Sequence, residues 1–374
     1  MKDLFFELIQ VAIGTRICLS HTPSADEWGE LYVMAKKQSL VGVCFAGVQS
    51  LAINHKPSTI NLPEVLYLQW MGMAAMIQQR NEVVNRQCVD FQKRLSADGF
   101  RSCIMKGQGV ALYYNKAICN LRQSGDIDVW IDGDSKSVIE YVYRKTNHLD
   151  YDQKHIHYKV FEDTDVELHW QPVSLQSYFK NKYLNEYFDR MKATEFSFSR
   201  CDNAHFSFST PSFNMVYLLL HIYNHYIYEG VGLRQLMDYY FVIVNGCEDY
   251  SSEETREVIR RIGLEKFAGA VIWVLSKVMG LGEKFFVWEP NVIEGTALLN
   301  EILQSGNMGK YGGELHMQDA NAWQRLLLAY RRRVRMSAFD PLSPLWSFYN
   351  AVRIKLWKHR TSSNLAKISK DDDC

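Results

Sequence analysis

The sequence lacks a net charge, a long apolar run and any closely spaced pair of cysteines. Lysine plus arginine and aspartate plus glutamate both total 42 in 374 residues, so no overall field attracts nucleic acid or a membrane surface. The longest apolar runs, such as 215–220, are far shorter than the roughly 20 residues of a membrane span. The eight cysteines show no Cys-x-x-Cys spacing, and no basic-then-apolar leader is seen. We therefore expect a reduced, cytoplasmic protein with no membrane span.

Changes of pattern along the chain predict an α+β protein with three regions. Residues 1–98 have helical periodicity, 99–210 contain short strand-like runs, and helical periodicity returns over 211–374. The predicted strands of the central region include 155–161 and 166–170, and a hairpin is predicted from 195–200 and 205–210. The expected fold is a small mixed sheet flanked by N- and C-terminal helical regions.

Two aspartates in the central region are the strongest candidates for metal ligands. Asp126 and Asp128 alternate around an apolar isoleucine and lead into Val-Trp-Ile. On a strand both carboxylates point to one face, with their α-carbons roughly 7 Å apart. Hard oxygen ligands of this kind suit Mg²⁺, which completes its coordination with water and substrate phosphates. The pattern indicates phosphoryl or nucleotidyl transfer, although Asp-x-Asp also occurs at solvated strand ends.

A glycine turn lies upstream of the aspartates and a third carboxylate lies downstream. The β-compatible run 101–105 stops at Lys106-Gly107, and Gln108 then begins a helical pattern. Strand, glycine and helix in this order turn backbone N–H groups toward a phosphate. In the run 166–170, strict alternation places Glu167 and His169 on the same face. Glu167 can join the aspartates if the two strands are neighbours, whereas His169 is equally explained as a hydrogen-bonded structural histidine.

Taken together, these motifs resemble the DNA polymerase β-like nucleotidyltransferase superfamily. They are Lys-Gly-x-x-x-x-Leu from Lys106, Arg-x-Ser-x-Asp-Ile-Asp from Arg122, and Glu-Leu-His-Trp from Glu167. The branch they resemble contains uncharacterised bacterial nucleotidyltransferases related to abortive-infection toxins. One departure is that Gln108 stands where the superfamily has a serine that contacts the phosphates.

The resemblance implies a sheet of the polymerase β-like type and a catalytic core at 99–210. It implies that Asp126, Asp128 and Glu167 are catalytic and bind two Mg²⁺ ions, and that an NTP such as ATP is the substrate. The residues expected to hold the nucleotide are Lys106, Gly107, Gln108, Arg122 and Ser124. For Arg122, contact with phosphate, ordering of the loop and a salt bridge to a surface carboxylate all remain open.

The predicted reaction moves an NMP from an NTP to an unidentified acceptor hydroxyl and releases pyrophosphate. A small molecule or a protein is favoured as acceptor over RNA, because the whole-chain charge gives RNA binding no support. The alternatives are a nucleotide-binding scaffold without turnover, which the missing serine favours, and an RNA-modifying toxin. The toxin would use the basic run 331–335, which is equally explained as a solvated helix face.

Four further polar residues have no settled role in the sequence. His221 and His225 are one helical turn apart, but two ligands are too few for zinc, so no zinc is expected there. Arg234 and Asp238 have i, i+4 spacing and either pair with each other or help to recognise the base or acceptor.

Overall fold

The computed structural model describes residues 1–54, 60–146, 149–197, 205–307 and 321–372. Within these ranges it has fourteen α-helices and one five-stranded mixed sheet. This confirms the predicted α+β class. In the same ranges, no helix is both long and apolar enough to cross a membrane.

The N-terminal region is helical, as its periodicity predicts. Its helices are α1 (Lys2–Ile13), α2 (Ala25–Lys37), α3 (Val41–Asn54) and α4 (Glu64–Ala97). The start of α2 is fixed by a capping box, in which Glu27 N–H donates to Ser24 Oγ and Ser24 N–H donates to the Glu27 carboxylate. Pro63 directly precedes α4, the long helix that runs alongside the sheet.

The sheet has the strand order β1-β2-β5-β4-β3. Its strands are β1 (Ser102–Ile104), β2 (Ile127–Ile131), β3 (Asp150–Tyr151), β4 (His155–His157) and β5 (Val166–His169). Only β2 and β5 run parallel among the described strand pairs. The helices α5 (Gln108–Ala111), α6 (Ser135–Tyr143) and α7 (Tyr178–Glu195) lie between or after these strands in the chain. The chain segment that includes α6, β3 and β4 returns β5 to the side of β2.

The hairpin predicted from 195–200 and 205–210 is wrong in its first strand. Glu195 is the last residue of α7, and the chain turns at Phe196 and Ser197; residues 198–204 lie outside the described residues. The second arm contains a single bridge, in which Phe208 pairs with Ile104 at the end of β1. Residue 195 is helical and not part of a strand because of a long-range contact. The buried Glu195 carboxylate accepts hydrogen bonds from the backbone N–H and hydroxyl of Thr210.

The C-terminal helices cover the sheet and contact the N-terminal ones. They are α8 (Pro211–Tyr228), α9 (Leu233–Asn245), α10 (Ser252–Ile262), α11 (Glu265–Met279), α12 (Val292–Ser305), α13 (Ala322–Phe339) and α14 (Ser343–Asp372). Trp130 of β2 stacks on Phe213 of α8 with ring centroids 5.3 Å apart. Gln38 connects α2 to this region, donating to Ile302 O and accepting from Leu233 N–H. The division into 1–98, 99–210 and 211–374 stays a prediction.

Candidate functional site

Three carboxylates meet on one face of the sheet. The parallel register pairs Asp128 of β2 with Glu167 of β5, and strand alternation places Asp126 on the same side as Asp128. One carboxylate oxygen from each residue lies within 4.8 Å of the other two. Asp126 is at the exposed rim, Glu167 is half-buried and Asp128 is buried. The structure therefore brings together the three acidic residues singled out in the sequence.

Asp128 is the most constrained of the three carboxylates. Its Oδ1 lies 2.6 Å from Lys106 Nζ and 3.1 Å from His169 Nε2. Its Oδ2 is buried and has no hydrogen-bond partner. A buried carboxylate oxygen with no partner is costly, and it is also a free ligand position. With three oxygen donors converging, the residues present fit a hard divalent cation such as Mg²⁺.

The protonation of the site is set by opposing effects. Burial alone would raise the pKa of Asp128, but Lys106 and the hydrogen bond from His169 lower it overall. The negative charge of Asp128 raises the pKa of Asp126. Burial alone would lower the pKa of Lys106, but Asp128 and its anionic neighbours raise it well above its usual value. Lys106 is thus the internal counterion of the carboxylates.

The glycine turn adjoins the carboxylates through its backbone. Met105 N–H donates to Asp128 O, and the chain then turns at Gly107 with φ 56° and ψ −111°, a conformation that favours glycine. A Cβ at Gly107 would lie 3.4 Å from Asp126 O. Gln108 points away, donating from Nε2 to Asn85 Oδ1 of α4 at 2.7 Å. Its side chain is therefore committed to α4.

Arg122 forms a buried ion pair with a helix distant in sequence. Its Nε and Nη2 donate to the two carboxylate oxygens of Asp238, each at 2.7 Å, and Tyr114 Oη donates to the same carboxylate. The partner is a buried helical carboxylate rather than the surface one considered in the sequence. Ser124, which the structure shows half-buried, is not among the residues that line the cavity.

Arg234 does not pair with Asp238 as its spacing suggests. Its Nη1 donates to Gln123 O at 2.7 Å. Because Arg122 and Arg234 both hold the loop before Asp126, helix α9 fixes the position of the loop that begins β2. The sequence does not reveal the pairing of Arg122 with Asp238, because 116 residues separate them.

A cavity of about 360 Å³ opens over the carboxylates. Besides the acidic residues, its wall includes residues of β4, β5, α8 and α9 and several further polar side chains. Among the polar side chains are those of Gln176, Asn224, His225, Tyr228 and Glu229. His221 and His225 both line it, and His225 Nδ1 lies 3.0 Å from a Glu229 oxygen. Neither histidine belongs to a three-ligand group among the described residues.

His155 is a candidate that the motifs did not single out. It lies on β4 directly opposite His169 of β5 and also lines the cavity. The alternation His-Ile-His at 155–157, beside the alternation of the next strand, is the sequence signal that could have found it.

The basic run 331–335 is partly used for packing. Arg332 donates to Tyr228 O, and Arg335 donates to Tyr226 O and pairs with Glu301 at 2.6 Å. The Arg331 side chain lies outside the described residues. Two of the four arginines thus hold α13 against the end of α8.

Comparison with known proteins supports the interpretation of the motifs. A search of curated proteins and a search of solved structures each found no match. A family model described as uncharacterised nucleotidyltransferase matches residues 24–280, which is more than half of the chain and includes the glycine turn, the three carboxylates and helices α8 and α9. On this match, the chain belongs to a family of uncharacterised nucleotidyltransferases.

Proposed function

We propose that the protein transfers an NMP from an NTP to an acceptor hydroxyl and releases pyrophosphate, with Mg²⁺ as the cofactor. The observation that carries the proposal is the unpartnered Oδ2 of Asp128 beside two further carboxylates. Bound at this place, two Mg²⁺ ions would neutralise phosphate charge and activate the acceptor oxygen. Every ligand required for them is an oxygen of this chain, of water or of the nucleotide.

The residues have distinct proposed roles. Asp126 and Asp128 hold the cations, and Glu167 completes the side from which the acceptor approaches. Gly107 lets the backbone come close to the triphosphate, which the missing Cβ and the positive φ support. Lys106 is near enough to the carboxylates to contact the phosphates.

For the other three predicted nucleotide contacts, we propose indirect roles. Arg122 orders the loop through Asp238, and Gln108 contributes its backbone while its side chain fixes the turn to α4. Ser124 is proposed to act as part of the same loop.

A small hydroxyl compound is our proposed acceptor. The polar lining formed by Gln176, Asn224, His225, Tyr228 and Glu229 offers amide, phenol, imidazole and carboxylate groups that can orient a polar ligand. RNA is less favoured, because Arg332 and Arg335 of the basic run are engaged with α8 and Glu301.

The test measures pyrophosphate release from each of the four NTPs with a panel of hydroxyl compounds, proteins and RNA. Asp126→Asn is the informative variant, because Asp126 lies at the exposed rim and the substitution removes the charge while keeping the side-chain volume. Asp132→Asn, at the other end of β2 and paired with Arg101, is the matched control. We expect loss of turnover only in Asp126→Asn; equal turnover in both variants would refute the catalytic assignment.

A second candidate, a nucleotide-binding protein without turnover, is supported by the pair between Lys106 and Asp128. This contact occupies one oxygen of the most buried carboxylate. Calorimetry with ATP and Mg²⁺ separates the two candidates, since binding without pyrophosphate release for any acceptor would favour the second.

A further inference from the structure

A second group of metal-ligating atoms lies next to the three carboxylates. One ring nitrogen each from His155 and His169 and one carboxylate oxygen of Glu167 lie within 4.8 Å of one another. The group is built by strand register, because His155 of β4 and His169 of β5 are direct partners and Glu167 is two residues before His169. The histidines are 8% and 1% exposed, so both imidazoles are held inside the cavity wall.

Both histidines have a buried nitrogen that no hydrogen bond satisfies. Nδ1 of His155 and Nδ1 of His169 have no hydrogen-bond partner. The nearest charged atoms to His155 Nδ1 are oxygens of Asp152 at 3.6 Å and Glu167 at 3.8 Å. Native structures satisfy most buried polar atoms, and a neutral imidazole nitrogen is a lone-pair donor that metal ions commonly use.

One ring nitrogen of His169 faces the carboxylates directly. Its Nε2 lies 3.1 Å from Asp128 Oδ1 and 3.1 Å from Glu167 Oε2. These contacts fix the orientation of the ring beside Glu167. The ligand atoms of one cation, at about 2.0–2.2 Å from it, lie closer together than 4.8 Å, so the three side chains have to draw together when a cation binds.

We propose that His155, Glu167 and His169 bind a divalent transition-metal cation of the Mn²⁺, Co²⁺ or Zn²⁺ class. Imidazole suits these ions, whereas Mg²⁺ prefers all-oxygen coordination. Sharing Glu167 places this cation beside the Mg²⁺ site, on the proposed acceptor side. A catalytic role for this cation rests on the proposed function, whereas its binding does not.

A purely structural role for the imidazoles makes a different prediction. If His169 only bridges Asp128 and Glu167 as a hydrogen-bond donor, a transition-metal ion gains nothing from His155. His157 supplies the comparison, because its Nδ1 is 3.8 Å from Glu167 Oε1 but it is not in the ligand group. In that case, replacing His155 and replacing His157 should have similar electrostatic effects on Glu167.

The test titrates the full chain with Co²⁺ in excess Mg²⁺, without nucleotide, and follows the visible absorption of the bound ion. We expect one equivalent of Co²⁺ to bind despite the Mg²⁺. His155→Phe, which keeps a ring but removes both nitrogens, should weaken Co²⁺ affinity at least about tenfold. His157→Phe should leave Co²⁺ affinity unchanged. Asp126→Asn should also bind Co²⁺ normally, even though it should lose turnover.

The proposal is overturned if Mg²⁺ displaces Co²⁺ completely, or if the two phenylalanine variants behave alike. NMR of the wild type labelled in its histidine nitrogens is an independent measurement in case His155→Phe does not fold. Co²⁺ should broaden the signals of His155 and His169 first, and unaffected signals would also refute the site. Co²⁺ binding as predicted, with no pyrophosphate release under any condition, would leave this site intact and refute the proposed function alone.

Discussion

Loss of the Arg122 guanidinium should destabilise the fold more than it weakens nucleotide binding. Arg122→Met removes both hydrogen bonds to Asp238 and leaves a carboxylate that is 5% exposed with Tyr114 as its remaining hydrogen-bond donor in this cluster. Breaking one side of a buried ion pair costs about 3–5 kcal/mol, because the other charge stays buried. We expect a loss of that size in the free energy of unfolding.

The double variant Arg122→Met/Asp238→Leu separates charge from packing. It removes both charges, so the remaining cost is mainly the unsatisfied hydroxyl of Tyr114, about 1–3 kcal/mol. The double variant should therefore be more stable than Arg122→Met alone, with a large coupling free energy between the two positions.

Urea unfolding followed by both fluorescence and circular dichroism is the assay, since coincident transitions are needed before free energies are compared in a chain of this size. ATP affinity is measured for the same variants under conditions where each is folded. The loop-ordering role would be refuted if Arg122→Met lost less than about 1 kcal/mol of stability but lost nucleotide affinity. Arg122 would then contact the triphosphate.

Three further predictions concern a titrating carboxyl, a crowded glycine and the two aspartates. Burial raises the pKa of Glu195 to about 7 from 4.5, so the folded state holds this proton more tightly and loses stability as pH rises from 4.5 through 7. The free energy of unfolding of Glu195→Gln should therefore exceed that of the wild type by about 3 kcal/mol at pH 8 and equal it at pH 4. Urea midpoints that shift equally at both pH values would contradict this. Gly109→Ala should cost about 1–3 kcal/mol of unfolding free energy, because its Cβ would lie 2.5 Å from Ile104 O. Gly72→Ala is the control, because a Cβ there would have nothing within 4 Å, and it should stabilise α4 by up to about 1 kcal/mol. Equal shifts of the melting temperature in the two variants would rule out crowding at Gly109. Asp128→Asn should lower the melting temperature, since it leaves Lys106 without its closest partner, whereas Asp126→Asn should not; the same melting temperature for both would mean that the Lys106 pair contributes little.

Strand periodicity is the part of the site that the sequence could predict. An alternation of two is rigid, so Asp126 and Asp128 had to share a face in any strand, and so did Glu167 and His169. What periodicity could not predict is whether β5 neighbours β2. The parallel pairing of Asp128 with Glu167 shows that the two strands are neighbours. The start of α2 is also visible in the sequence, because Ser24 and Glu27 have the Ser-x-x-Glu spacing of a capping box.

Contacts between residues distant in sequence were not readable. Residues 195–200 alternate like a strand, yet α7 continues to Glu195, whose side chain accepts hydrogen bonds from Thr210, the cap of α8. The local spacing of Arg234 and Asp238 suggested a helical pair, but the buried pair with Arg122 excludes it. A tertiary ion pair outweighs an exposed i, i+4 pair worth a few tenths of a kcal/mol.

Other contacts at the site explain how the fold accommodates a cluster of negative charge. Asp126, Asp128 and Glu167 repel one another, and this repulsion raises the pKa of Asp126. Lys106 offsets part of the repulsion from inside the site, and the positive charge of Arg234 on α9 acts in the same direction on Asp126. A bound divalent cation would take over this neutralisation, and Lys106 would then be free to contact a phosphate. We therefore propose that the lysine next to the glycine turn couples neutralisation of the carboxylates to binding of the nucleotide.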